Sequence, residues 1–259
     1  VTAFLPVYVS AKKRAGKKGA IAYASNLLSL VTILMLALSV ISFVFAGQIV
    51  WTQSFNASAD FDFDLSTYFL RFFSIEVVLY ALSSVISSVL NAERDYFWST
   101  AAPIVNNIVT TASFFGYALF APTNPQLAIL CLAIGNPLGV LVQVLCQLPS
   151  LKRCGVKLRL RVDLHDPCIR ETIALGVPTL IVTLVSFATT SVQSSCSLSV
   201  NPNGAAITYY ARMWYVLPYS IFAIPITTAM FTELSTYVAN NQTPAFVQGL
   251  RRGSGKILF

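Results

Sequence analysis

The run of residues 20–46 constrains this chain more than any other feature: it contains no charged side chain and is apolar on every face of a helix. A helix in water keeps one polar face, so a segment of this kind belongs in lipid or in the interior of a bundle. Crossing the hydrocarbon core takes about 20 largely apolar residues, and five more stretches qualify, at 65–90, 99–120, 127–148, 172–196 and 205–231. Composition agrees. Of the 259 residues 56% are apolar and 10% charged, with a mean hydropathy of +0.69, whereas a soluble domain carries about 25% charged residues. The expected fold class is therefore all-α: a polytopic membrane helical bundle with six complete transmembrane helices and a partial one at each end, at residues 1–9 and 257–259. No initiator Met and no signal peptide are visible, so the chain is expected to be an internal piece of a longer, transporter-sized protein.

The cations give the expected topology. Lys12, Lys13, Arg14, Lys17 and Lys18 fall in the first loop, Arg94 in the third, and Lys152, Arg153, Lys157, Arg159, Arg161 and Arg170 in the fifth. Arg251, Arg252 and Lys256 follow the last complete span, and only Arg71 and Arg212 lie inside spans. The intervening loops at 47–64, 121–126 and 197–204 hold no Lys or Arg. By the positive-inside rule the basic loops are cytoplasmic. The net charge of +7 is thus a topology signal, and no nucleic-acid partner is expected because no aromatic residues interleave with the basic runs.

Enzyme chemistry finds no support. There is one His, and no HExxH, GxSxG, glycine-rich phosphate loop or paired carboxylates on a helical face. Five cysteines form no disulfide framework, and His165 with Cys154 and Cys168 matches no zinc-ligand spacing. The chain is therefore expected not to be an enzyme, with no catalytic residues, no metal and no cofactor.

The chemistry lies in polar groups at membrane depth. Arg71 and Glu76 fall in the outer half of the second complete span, and Arg212 about two turns below the outer end of the sixth. An Arg in hydrocarbon costs at least ~2.5 kcal/mol, so each should face a hydrated cavity or an anion. Arg71 is also close enough to the outer interface to snorkel, and Tyr209, Tyr210, Trp214 and Tyr215 around Arg212 equally suit an interfacial belt. Asn106 and Asn107 follow Pro103, Gln143 and Gln147 share a helical face at i, i+4, and Pro178, Pro218 and Pro225 are expected to interrupt their helices. Ser83, Ser84, Ser87 and Ser88 suit close helix packing. The candidate substrate-binding residues are Arg71, Arg212, Glu76, Asn107 and Gln143.

Four local patterns resemble the MurJ/MviN family of lipid flippases, within the superfamily of multidrug and polysaccharide exporters. They are LNAERDYFWSTAAPIVNNI (90–108), QVLCQLPSLKRCG (143–155), LHDPCIRETIALGVP (164–178) and ITYYARMWYVLPYSIFAIPITTAMFTELS (207–235). The resemblance implies two six-helix lobes, with 1–150 the remainder of the amino-terminal lobe from the end of its second helix to its sixth. It makes 151–170 a basic cytoplasmic linker and 171–259 the start of the carboxy-terminal lobe. A weak internal echo, Thr2-Ala3-Phe4-Leu5-Pro6 against Thr228-Ala229-Met230-Phe231-Thr232, fits a parallel repeat. One departure stands out: where members carry an acidic–basic pair after Tyr-Tyr-Ala, this chain has Arg212 and Met213.

The implied partner is lipid II, an undecaprenyl pyrophosphate bearing a disaccharide-pentapeptide, together with membrane lipids. The implied function is its translocation from the cytoplasmic to the outer leaflet of a bacterial plasma membrane by alternating access. Another polysaccharide-lipid or drug exporter of the superfamily, or a non-transporting cell-wall scaffold, is the alternative.

Overall fold

A computed structural model describes residues 4–156, 158–163, 165–223 and 243–258. Every regular element among them is helical: α1 (Phe4–Val44), α2 (Ala46–Ser54), α3 (Phe63–Phe73), α4 (Glu76–Ala92), α5 (Tyr96–Phe120), α6 (Pro125–Arg153), α7 (Pro167–Val200), α8 (Gly204–Pro218), a π-helical turn (Tyr219–Ala223) and α9 (Thr243–Leu258). The chain is a helical membrane bundle. Four helical stretches are both long and apolar enough to cross a membrane: Val7–Val44, Phe63–Ala92, Pro125–Arg153 and Pro167–Val200. Of the other two expected spans, 99–120 lies within the 25-residue α5, whose middle is diluted by Asn106 and Asn107. The span at 205–231 is helical to Ala223, and its remainder, with Pro225 and the second half of the internal echo, lies outside the described residues, as do Thr2 and Ala3.

Local chemistry explains the breaks. Within α1 the backbone leaves the helix at Ala15 and at Gly16, whose φ of +66° suits glycine. The bend brings Phe4 back over Tyr23, with stacked rings 5.5 Å apart. The expected span at 65–90 is α3 and α4 joined at Ser74, whose hydroxyl donates to Arg71 O at 2.6 Å, a back-bond of the kind that bends helices. Pro218 ends α8 in a π-helical turn, as expected of a residue that cannot donate into the ladder. Pro178 differs from expectation: α7 runs through it from Pro167 to Val200, an interruption that a membrane helix absorbs when freed carbonyls are re-satisfied locally.

Helices α4 and α6 end in the same motif. At α6, Gly155 takes φ +68°, its N–H donates to Lys152 O at 3.0 Å, and Val156 N–H donates to Leu151 O at 3.2 Å. At α4, Arg94 stands in the glycine position with φ +65°, donating to Asn91 O at 3.2 Å, while Asp95 N–H donates to Leu90 O at 2.9 Å. These two ends meet α1 in an apolar core of Phe4, Val7, Tyr8, Tyr23, Ile86, Val89, Leu90, Leu151 and Val156. The core therefore sits at the basic end of the bundle.

Contacts divide the chain into two units, one of residues 1–55 and 62–193, the other of 56–61 and 194–259. In the first, α5 packs closely on α6, and α4 lies against α1, α5 and α6. In the second, the loop after α2 runs beside the end of α7: Asn56 N–H donates to Ser195 Oγ at 2.7 Å and Ser58 N–H to Leu198 O at 3.0 Å.

Candidate functional site

Residues 76, 80, 83 and 87 of α4 are spaced four, three and four apart, which places Glu76, Tyr80, Ser83 and Ser87 on one helical face over about 16 Å of rise. Lipid offers such groups no hydrogen bonds, and Tyr80, Ser83 and Ser87 find partners on α5 and α6. Tyr80 OH accepts from Asn106 Nδ2 of α5 at 3.2 Å. Ser83 Oγ accepts from two amides of α6, Gln143 Nε2 at 2.8 Å and Gln147 Nε2 at 3.0 Å. Gln147 Nε2 also donates to Ser87 Oγ at 3.0 Å. The oxygens Glu76 Oε1, Gln143 Oε1 and Gln147 Oε1 are shut off from solvent and accept no hydrogen bond. The result is a polar seam between α4, α5 and α6, buried at Ser83, Asn106, Gln143 and Gln147 and exposed at Tyr80, with spare acceptor capacity.

Close helix approach makes the seam possible. Gly135 and Gly139 of α6 are one turn apart, and a β-carbon on Gly139 would overlap Asn106 Oδ1 and sit 3.1 Å from Asn106 O. A β-carbon on Gly135 would overlap the Ser113 side chain. This is the small-residue pairing that lets membrane helices touch through their backbones.

Gln143 is buried on the seam at 7% exposure, and Glu76 lies at the end of the seam away from the basic loops. Arg71 is exposed in the last turn of α3 and, among the described residues, forms no ion pair with Glu76 or any other carboxylate. Asn107 is exposed, whereas its neighbour Asn106 is buried at 8% and joins the seam, because one residue turns a helix by 100°. Arg212 belongs to the second unit and is exposed on α8 among Tyr209, Tyr210, Trp214 and Tyr215. Tyr80, Ser83, Asn106 and Gln147 were not among the candidate site residues. The signals that mark them are the polar repeat along α4 and the Gly135–Gly139 spacing of α6, which faces Asn106 and Ser113 of α5.

At the basic end a second polar group ties three elements. Glu93 Oε1 accepts from Tyr8 OH at 2.8 Å and from Lys12 Nζ at 2.7 Å, and Lys17 Nζ lies 3.9 Å from Oε2. Burial alone would raise the Glu93 carboxyl, but the hydrogen bonds from Lys12 and Tyr8 and the charges of Lys12 and Lys17 outweigh it and hold it below its ordinary value. Lys17 Nζ also donates to Cys154 O at 2.7 Å, a cation on the carbonyl end of α6. Asp95 accepts from Ser150 Oγ.

The family described as lipid II flippase MurJ matches residues 1–259. A probable lipid II flippase MurJ of Buchnera aphidicola subsp. Acyrthosiphon pisum is 24% identical over 240 residues, covering 92% of this chain and 46% of the relative. The lipid II flippase MurJ of Burkholderia cenocepacia is 21% identical over 238 residues, covering 90% and 45%. A probable lipid II flippase MurJ of Vibrio cholerae is 26% identical over 172 residues, covering 66% and 32%. The chain spans about half the length of the first two relatives.

Proposed function

The chain belongs to the lipid II flippase MurJ family, and on that premise we propose that it forms part of a flippase that carries lipid II across the membrane by alternating access. The lipid enters from the leaflet at the basic end and leaves in the opposite one. In this proposal the basic end faces the cytoplasm of a bacterial cell, residues 1–150 complete the amino-terminal lobe, 151–170 link the lobes and 171–259 begin the second. The protein moves its substrate without chemical change.

The observation that carries the proposal is an uncompensated cation at membrane depth. Arg71 lies within the apolar stretch Phe63–Ala92 and has no carboxylate partner among the described residues. An unpaired guanidinium there is costly unless a hydrated anion meets it, and a pyrophosphate is such an anion, matching the planar donor fork in two places. Arg212, on α8 of the second unit, is the other cation proposed to meet the substrate. The polar seam at Glu76, Asn106 and Gln143 offers hydrogen bonds to a sugar or peptide head group, with Asn107 on the exposed face of α5. The prenyl tail remains in the bilayer. With the cell interior negative, export of each negative charge gains ~2.3 kcal/mol per 100 mV.

The experiment is complementation of flippase-depleted cells by the full-length protein, scored by the exposure of lipid II to an externally added lipid II-cleaving enzyme. Wild type restores exposure, and Arg71→Ala and Arg212→Ala reduce it at equal protein level. Full exposure in both variants sinks the cavity role. Lipid II that stays exposed when the protein is depleted leaves only a scaffold.

A further inference from the structure

The segment between α6 and α7 is stitched to α1 by its own backbone. Arg159 N–H donates to Ser25 Oγ at 3.2 Å, Arg161 N–H to Ser29 Oγ at 3.0 Å, and Asp163 N–H to Asn26 Oδ1 at 2.8 Å, while Asn26 Nδ2 donates back to Asp163 O at 2.8 Å. Alternate residues of an extended segment thus face one side of a helix, and the residues between them face away. Leu160 is 94% exposed and Val162 61%. Apolar side chains held out in this way suit the border of the membrane, and the helix they border is the apolar stretch Val7–Val44.

Between this segment and α1 lies a cleft of about 550 Å³ lined by Lys18, Ile21, Ala22, Gly155, Arg159 and Arg161. Three cations from two elements converge there. Lys17 is turned away toward Cys154 and Glu93. The one ion pair in the cleft is Arg161 with Asp163 at 3.4 Å, and Lys18 and Arg159 have no carboxylate partner among the described residues. Like charges gathered around a cavity favour an anion within it. The Ile21 and Ala22 wall is apolar, so the best occupant is anionic at one end and apolar at the other.

We propose that this cleft holds the phosphate of an anionic glycerophospholipid from the leaflet at the basic end, its glycerol and first acyl carbons against Ile21 and Ala22. Lys18, Arg159 and Arg161 meet the phosphate oxygens. Basic pockets at the edge of membrane helices recognise lipid head groups by this combination, and cations fixed by a stitched backbone lose little freedom on binding. The site is separate from the polar seam and does not rest on the transport proposal.

The test uses the full-length protein in detergent, titrated with phosphatidylglycerol or with phosphatidylcholine of the same acyl chains, bound lipids being counted by native mass spectrometry. Phosphatidylglycerol is expected to bind in preference. The triple variant Lys18→Gln/Arg159→Gln/Arg161→Gln should weaken it about fivefold per charge removed, and Lys13→Gln/Arg14→Gln should leave it unchanged. Ala22→Phe keeps every charge and fills the cleft, so it should also lose the lipid, and it decides the matter if the triple variant does not fold. Equal binding of the two lipids, wild-type binding by Ala22→Phe, or displacement of phosphatidylglycerol by inorganic phosphate as readily as by competing lipid overturns the proposal.

Discussion

Lys12 and Glu93 stand 81 positions apart in the chain, yet the Lys12 ammonium donates to Glu93 Oε1 at 2.7 Å while the Glu93 side chain is only 10% exposed. Partners held Glu93 below its ordinary value, so it binds fewer protons folded than unfolded near that value. Its contribution is present above the unfolded value and is lost as pH falls through the lower folded one. Glu93→Gln should therefore lower stability at neutral pH by about 1 kcal/mol, and the thermal midpoint with it, given that Lys12 is 38% exposed. That deficit should shrink as the pH falls below the ordinary carboxylate range and through the lowered folded value, as read by fluorescence-monitored melting at a series of pH values.

Arg94 occupies a left-handed position, φ +65°, at the end of α4 where α6 uses Gly155 at φ +68°. Arg94→Gly should stabilise the protein by about 1 kcal/mol, and Gly155→Ala should destabilise it by a similar amount. Denaturant titration of the pair checks both signs at once.

Gly139→Val forces a branched side chain into Asn106 and Thr110. Overpacking of this kind costs about 1–3 kcal/mol. The expected result is a lower melting temperature and loss of a disulfide cross-link engineered between α5 and α6, whereas the same change at Gly176, which faces open space, should be tolerated far better.

Ser83→Ala leaves Gln143 Nε2 without its acceptor on α4 and leaves Gln147 Nε2 with Ser87 Oγ alone. The cost is about 1–3 kcal/mol. Adding Gln143→Leu and Gln147→Leu should restore stability by removing the orphaned donors. A triple variant that melts like wild type yet fails to expose lipid II would assign the seam to transport, and one that retains full exposure would make it purely structural.

Four of the six expected spans were legible because hydropathy is a local sum: no distant contact is needed to know that 20–46 or 127–148 cannot be soluble helices. The shared face of Gln143 and Gln147 was legible for the same reason, since i, i+4 spacing is a property of one helix, and both amides do meet Ser83. Partner choice was not. Whether Asn106 or Asn107 faces inward depends on the rotation of α5 against α6, which Gly135 and Gly139 set from another helix. The stitches from Ser25, Asn26 and Ser29 join residues more than 130 positions apart, and small polar residues near a helix start predict a cap or a packing face before they predict a docked loop. The two bends, at Ala15–Gly16 and at Ser74, depend on single residues that a hydropathy window averages away.

The paired bonds between Asn26 and Asp163 give residues 158–163 the mechanical character of the helix they lie on. A tether hanging free absorbs displacement by uncoiling, whereas in this one residues 159, 161 and 163 are each held to α1 by a backbone hydrogen bond. Tension along it is delivered to α1 at Ser25, Asn26 and Ser29, so the stiffness of the connection is set by three side chains of a neighbouring helix and not by the composition of the connecting chain.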